Sequence, residues 1–329
     1  MSRRSLGEGG RVPAAAIETR GLTKYYGQVV GLENLSLEVA QGEVFGFLGA
    51  NGAGKTTTIR MLLDLVRPTS GSASIFGFDC HRQGLEARRR VGYLPGEMPF
   101  YPELTGARYL QFLGSLVESR PSPARMEWLL RRFDVSDLDL KRRMRDYSHG
   151  MKRKLGLIQA LMMEPPLLIL DEPTSGLDPL MIEAFSETVD ELARSGSTTV
   201  FLSSHILSEV ERICQRIGLV RGGQLVAVRT LSELRGAAPR RMTVLFSAPV
   251  NGDLPTLPGA TIVSREPAQW VLDVHGPVGE IIPRLASLPV ADVQLAAFTL
   301  DETILRLLGH GHADRHVPKE VPYQPEGRT

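Results

Sequence analysis

The sequence predicts an α/β fold built on a parallel sheet, and three observations carry that prediction. Short apolar runs at 43–49 (EVFGFLG), 166–170 (PLLIL) and 198–204 (TTVFLSS) each end in glycine or polar residues, as strands buried on both faces do. Between such runs, apolar residues recur at helical spacing, as at Ile59, Leu62, Leu63 and Val66. The alternation continues from about residue 16 to 235, and a sheet of that kind places ligands beyond the carboxyl ends of its strands.

Taken in order, residues 1–15 are rich in Gly, Pro and Ala and lack an apolar stretch behind Arg3 and Arg4. They read as a disordered tail and not as a signal peptide. Residues 16–235 form the main domain. Within it, 96–147 carries several prolines and the aromatics Phe100, Tyr101, Tyr109, Phe112, Trp128 and Phe133 in helix-like segments with no clear strand. With the helix that follows, it makes a helical insertion over about 96–165. After RGAAPRR (235–241) the pattern changes. MTVLF (242–246), TIV (261–263), WVLDV (270–274) and VQLAAF (293–298) read as strands, with a short helix around Ile281–Leu285. Thr299 and Glu302 form a capping box ahead of Leu300, Ile304, Leu307 and Leu308 on one helix face. Residues 240–310 are therefore a second, small α/β domain, and 311–329 a tail. The histidines of GHGHADRH (309–316) either chelate a metal or are solvated.

The chain of 329 residues is long enough for two cores. A formal net charge of +1 gives no global field favouring nucleic acid or an anionic bilayer. Cys80 and Cys214 have no metal or redox spacing, which suits a reducing compartment. No apolar run approaches the ~20 residues of a membrane span. The expectation is a cytoplasmic protein that reaches a membrane only through a partner.

The strongest motif is GANGAGKTT (49–57), which fits G-x-x-x-x-G-K-[ST] after a strand and before a helix. Its main-chain N–H groups, from Gly49, Asn51, Gly52, Ala53 and Gly54 to Thr57, suit an anionic phosphate. Lys55 supplies charge, and the Thr56 hydroxyl a ligand for Mg²⁺. LLILDE (167–172) ends a strand in two carboxylates: Asp171 is placed to meet Mg²⁺ and Glu172 to polarise an attacking water. SSH (203–205) ends another, putting His205 at the same rim. DYSHGMKRKL (146–155) reads two ways, as the N-cap Ser148 of a helix with a solvated basic face, or as a helix start that holds a phosphate.

Together these motifs resemble the nucleotide-binding subunit of an ABC transporter, of the type that powers drug and ABC-2 exporters. Walker A at 49–56, Walker B at 167–172, SGLD (175–178) and His205 come in the family's order over roughly 16–235. The resemblance implies an ATPase that uses ATP and Mg²⁺, a homodimer sandwiching two ATP, and a separately encoded membrane permease. It implies that YSHGM is the signature, with Ser148 and Gly150 completing the partner protomer's γ-phosphate site. It also implies that Asp178 lies at the dimer interface and that Tyr26, in TKYYG (23–27), stacks on adenine. Tyr26 also fits a plain edge-strand aromatic.

Two departures stand out. GYLPGEMPFY (92–101) has Gly96 where the family has glutamine, so either Glu97 takes over at Mg²⁺ or coupling proceeds without that contact. In the signature, His149 and Met151 replace a glycine and a glutamine. A soluble ABC-type ATPase acting on ribosomes or nucleic acid is the rival reading, drawing on the basic stretches Arg88–Arg90 and Lys141–Lys154.

Overall fold

The computed structural model describes residues 15–98, 101–117, 120–236, 240–250 and 257–307. Most of both expected tails, the histidines of 309–316, Phe100 and Leu308 lie outside the described residues. The chain divides into two compact units, Met1–Gly236 and Ala237–Thr329.

In the first unit the elements run β1 (Ala15–Tyr26), β2 (Val29–Ala40), β3 (Val44–Leu48), α1 (Lys55–Leu62), β4 (Ser70–Ile75), β5 (Phe78–Asp79), α2 (Gly84–Arg88) and β6 (Val91–Leu94). Four helices follow, α3 (Gly106–Ser115), α4 (Pro123–Arg132), α5 (Asp137–Lys141) and α6 (His149–Leu161). The unit ends with β7 (Leu167–Asp171), α7 (Pro179–Ser195), β8 (Thr199–Ser204), α8 (Leu207–Ile213), β9 (Arg216–Arg221), β10 (Gln224–Thr230) and α9 (Leu231–Gly236).

The central sheet has the order β10-β9-β3-β8-β7-β6, parallel except where β10 pairs with β9. Every residue of β3, β7 and β8 is buried, which is why these strands read as continuous apolar runs. Phe201 stacks between the rings of Phe45 and Phe47 at 5.9 and 5.3 Å. Burial of each such side chain contributes about 1.5–3 kcal/mol. A second sheet, β2-β1-β4-β5, is antiparallel; of its strands the sequence indicates only TKYYG (23–27), which lies at the end of β1. Ile17, Leu22, Leu35 and Ile75 of these strands join the core of the central sheet.

The segment between β6 and β7 is helical, with one isolated bridge between Thr105 and Arg143. Helix α1 is shorter than its periodicity predicted. It ends at Leu62, because Asp64 adopts the left-handed conformation (φ 54°) and turns the chain before Val66.

The second unit comprises β11 (Arg240–Phe246), β12 (Ala260–Glu266), β13 (Gln269–Val274), α10 (Ile282–Leu285), β14 (Val290–Ala297) and α11 (Leu300–Leu307). Its sheet, β12-β13-β11-β14, is antiparallel throughout. The core is Met242, Val244, Trp270, Leu272, Ile281 and Leu285. The capping box at α11 is present, with the Thr299 amide donating to Glu302 Oε2 at 3.0 Å.

Candidate functional site

The loop between β3 and α1 is shaped by close approaches at its glycines. Gly49 is required by a close approach, since a side chain there would overlap the Val220 carbonyl. Gly54 caps α1 with φ 105°, a conformation that suits glycine, and a Cβ would come 2.7 Å from the Gly31 carbonyl oxygen. Asn51 and Gly52 are exposed at the crest of the loop, and Thr57 is half-buried in the first turn of α1. Ala53 is buried, its carbonyl accepting from Gly223 N–H at 3.1 Å. The buried Lys55 ammonium donates to the Gly49 carbonyl at 2.6 Å and the Ala50 carbonyl at 3.3 Å, and lies 3.3 Å from Glu172 Oε1.

The carboxylates at the end of β7 meet this loop directly. Thr56 Oγ1 donates to Asp171 Oδ2 at 3.0 Å, and Ser203 Oγ to Oδ1 at 2.5 Å. Glu172 follows with φ 51°, and its N–H reaches Ser203 O and Oγ, both at 3.2 Å. Its Oε2 is 2.7 Å from His205 Nδ1, so one carboxylate bridges the lysine and the histidine. Lys55, Thr56, Asp171, Glu172 and His205 are thus one connected set. The Thr56 hydroxyl and the Asp171 carboxylate are neighbouring hard oxygens, a donor set that fits Mg²⁺ completed by phosphate oxygens and water. Among the described residues no group of three or more His, Cys, Asp or Glu side chains converges.

A groove of about 810 Å³ opens beside these residues, lined by Thr56, Tyr93, Gly96, Tyr109 and Asp171 among others. Position 96 faces Asp171: a Cβ there would lie 3.2 Å from Asp171 Oδ2. Glu97 lines the same groove but is exposed, and it has no hydrogen bond or ion pair among the described residues. Burial, with the Asp171 charge adding to it, pushes the Tyr93 hydroxyl up to about 12.

The signature segment lies elsewhere. Ser148 caps α6, accepting from Met151 N–H at 3.2 Å, and is exposed. Its neighbour is the 175–178 segment: a Cβ on Gly150 would lie 2.9 Å from the Gly176 oxygen, and His149 packs over Gly176. Asp178 caps α7, accepting from Met181 N–H at 3.0 Å. No hydrogen bond among the described residues joins Ser148 or Gly150 to the loop at 49–57. Tyr26, at the end of β1, is 44% exposed, and its ring lies against Gly31, whose carbonyl borders Gly54.

Two residues of the site escaped sequence reasoning. Ser203 was visible only as a polar residue closing a buried strand. Arg153 does not fit the solvated basic face that one of the two readings of 146–155 gives it. It is 1% exposed, and its guanidinium lies among main-chain carbonyls of 95–96 and 171–173. Burial lowers its pKa to about 10. The other basic stretches are largely neutralised: Arg88 pairs with Asp64, Arg90 with Glu86, and Arg143 and Arg145 with Glu103.

Residues 32–175, from β2 through both carboxylates, match the family model described as ABC transporter. A daunorubicin resistance ATP-binding protein of Streptomyces coeruleorubidus is 37% identical over 89% of this chain and 96% of its own length. The chain belongs to the ABC transporter family. It is an ATP-binding subunit and an ATPase of that family. A bacitracin transport ATP-binding protein of Bacillus licheniformis is 41% identical over 64% of this chain and 68% of its own. Among solved structures, an ATP-binding subunit of an ABC transporter is 34% identical with a TM-score of 0.62, over 67% of this chain and 92% of that one. A dimeric post-hydrolysis ATP-binding cassette bound to ADP and Pi is similar in fold, with a TM-score of 0.60 at 20% identity over 65% of this chain and 98% of that one.

Proposed function

We propose that this subunit binds ATP with Mg²⁺ on the 49–57 loop and hydrolyses it as half of a head-to-tail homodimer, powering export through a separate membrane permease. The observation that carries the reading is the Glu172 carboxylate, held between Lys55 and His205 one residue beyond Asp171. In this reading the loop amides and Lys55 hold the phosphates. Thr56 and Asp171 would hold Mg²⁺, which would supply positive charge against that building on the phosphate oxygens. Glu172 orients a water and takes its proton as the water oxygen bonds to the γ-phosphorus. The bond to the β–γ bridging oxygen breaks, and ADP leaves with that electron pair. His205 steadies Glu172 and donates toward the γ-phosphate.

Ser148 and Gly150 serve the opposing protomer, since an exposed helix start offers amide donors and a positive dipole end to an anion. Tyr26 stacks on adenine beside the loop, and Asp178 lies at the dimer seam. The residues assigned to the phosphate site all lie in the first unit.

No helix among the described residues is long and apolar enough to cross a membrane, and in this reading the transport path belongs to another chain. The relatives named for bacitracin transport and daunorubicin resistance support an antibiotic-like substrate, and docking on the permease would place the subunit on the inner face of the cell membrane. The groove beside Gly96, with Tyr101 and Phe112 exposed nearby, suits contact with that permease. Expression of the full chain with and without the product of a neighbouring membrane-protein gene tests this. Recovery in the membrane fraction only with that product supports the reading, and equal recovery in both refutes it.

A further inference from the structure

Arg153 sits one and a half turns into α6, the helix that Ser148 caps. Its five N–H donors all meet main-chain carbonyls. Nε donates to Pro173 at 3.1 Å, and Nη1 to Pro95 at 2.6 Å and Gly96 at 3.2 Å. Nη2 donates to Asp171 at 2.5 Å and to Glu172. The Asp171 and Glu172 carbonyls belong to the two peptide units that flank the Glu172 Cα. One nitrogen of Arg153 therefore holds both of them, while Ser203 holds the Glu172 N–H from the other side. Glu172 is in the left-handed region at φ 51°, where a non-glycine residue stays only if its surroundings fix it.

We infer that Arg153 is a positioning residue for ATP hydrolysis: it sets the backbone that aims the Glu172 carboxylate and ties that backbone, with the Pro95–Gly96 loop, to the helix whose start carries Ser148. The inference rests on the proposed role of Glu172. A rigid α6 moves Arg153 with it, so a displacement of Ser148 reaches the base and the 95–96 loop through one side chain. Lysine cannot substitute, because three donors on a single nitrogen cannot span five carbonyls on two separate segments.

The test uses the full chain with Mg²⁺-ATP and the variants Arg153→Lys and Arg153→Gln, with thermal melting to confirm folding. A positioning role lowers kcat by about 10- to 100-fold with KM for ATP little changed, and lysine does not rescue. A purely structural role lowers Tm and leaves kcat per folded molecule at the wild-type value, which overturns the inference. In a Glu172→Gln background, adding Arg153→Gln should cost almost nothing further, and full multiplicative losses would break the link to Glu172. If Glu172→Gln alone keeps wild-type turnover, it is the assignment of the base that fails. Should neither Arg153 variant fold, hydrogen exchange on the wild-type chain decides the matter. Adding Mg²⁺ and a slowly hydrolysed ATP analogue should protect 93–98, 150–156 and 171–174 together, and protection of one segment alone overturns the coupling.

Discussion

Replacing Glu172 by glutamine isolates the charge of the proposed base from its shape. The carboxamide is isosteric, so its oxygen can keep the 3.3 Å approach to Lys55 while its NH₂ takes over the 2.7 Å contact with His205. Lys55 is not left stranded, because the Gly49 and Ala50 carbonyls still accept from it. Backbone strain at φ 51° is shared by both residues, so folding stability should change by less than about 1 kcal/mol. The chemical step loses its proton acceptor, a contribution of about 10²- to 10⁴-fold, or roughly 3–5 kcal/mol in the barrier. Removing a negative charge beside the γ-phosphate leaves ATP affinity equal or higher. Phosphate release should therefore collapse while ATP binding persists, and gel filtration with ATP should show the dimer accumulating. Wild-type turnover in Glu172→Gln would move the base elsewhere and end the proposed mechanism.

Lys55→Ala should lose fluorescent-ATP binding with its fold retained, and normal binding would remove the phosphate role of the loop. Gly96 faces Asp171 while Glu97 is exposed, so Glu97→Ala should leave the Mg²⁺ dependence of hydrolysis unchanged. A higher Mg²⁺ requirement would place Glu97 at the metal. Tyr93 and Tyr109 are both held up to about 12 by burial, so ultraviolet titration should show two tyrosines ionising near pH 12. With folded values above the unfolded 10.0, their contribution to stability is complete below pH 10 and is lost as pH rises toward 12. Ending the chain after Gly236, the boundary between the two units, should leave ATP binding intact, and a folded truncate that no longer binds ATP would contradict a phosphate site confined to the first unit.

The parts of the site legible in the sequence were those where chemistry restricts the residue type. A loop that crowds the Val220 carbonyl and turns at φ 105° demands glycines, and the phosphate loop was readable for that reason. Fully buried parallel strands demand unbroken apolar runs, so β3, β7 and β8 were readable too. The antiparallel sheet was harder, because β1 and β2 carry bulges that break a strict alternation of period two. Arg153 was illegible because arginine is ordinarily a surface residue, and nothing in KRKL distinguishes the one whose donors turn inward from its neighbours. Lys154, next in sequence, ends at the carbonyl and carboxylate of Asp134 instead.

Strand register explains why residues so far apart in sequence meet. Leu94 pairs with Leu170, Asp171 with Ser203, and Leu48 with Ser204. Parallel pairing thus brings the carboxyl ends of β6, β7, β8 and β3 to one rim, and the chain leaves each strand within a residue or two of the same level. Asp171 is the last residue of β7, and the Pro95–Gly96 turn, Glu172, His205 and Gly49 are the first residues past the four ends, so the register alone delivers them to a single line. What register does not supply is orientation. A strand ending at Asp171 would carry Glu172 onward in an extended conformation, with its side chain directed by the alternation of the strand. The left-handed turn at Glu172 costs about 1–3 kcal/mol and breaks that alternation. Ser203 on one side and Arg153 on the other hold the turned backbone, and the carboxylate then falls between Lys55 and His205. The sheet chooses which residues meet, and the buried arginine and serine fix the direction in which Glu172 points.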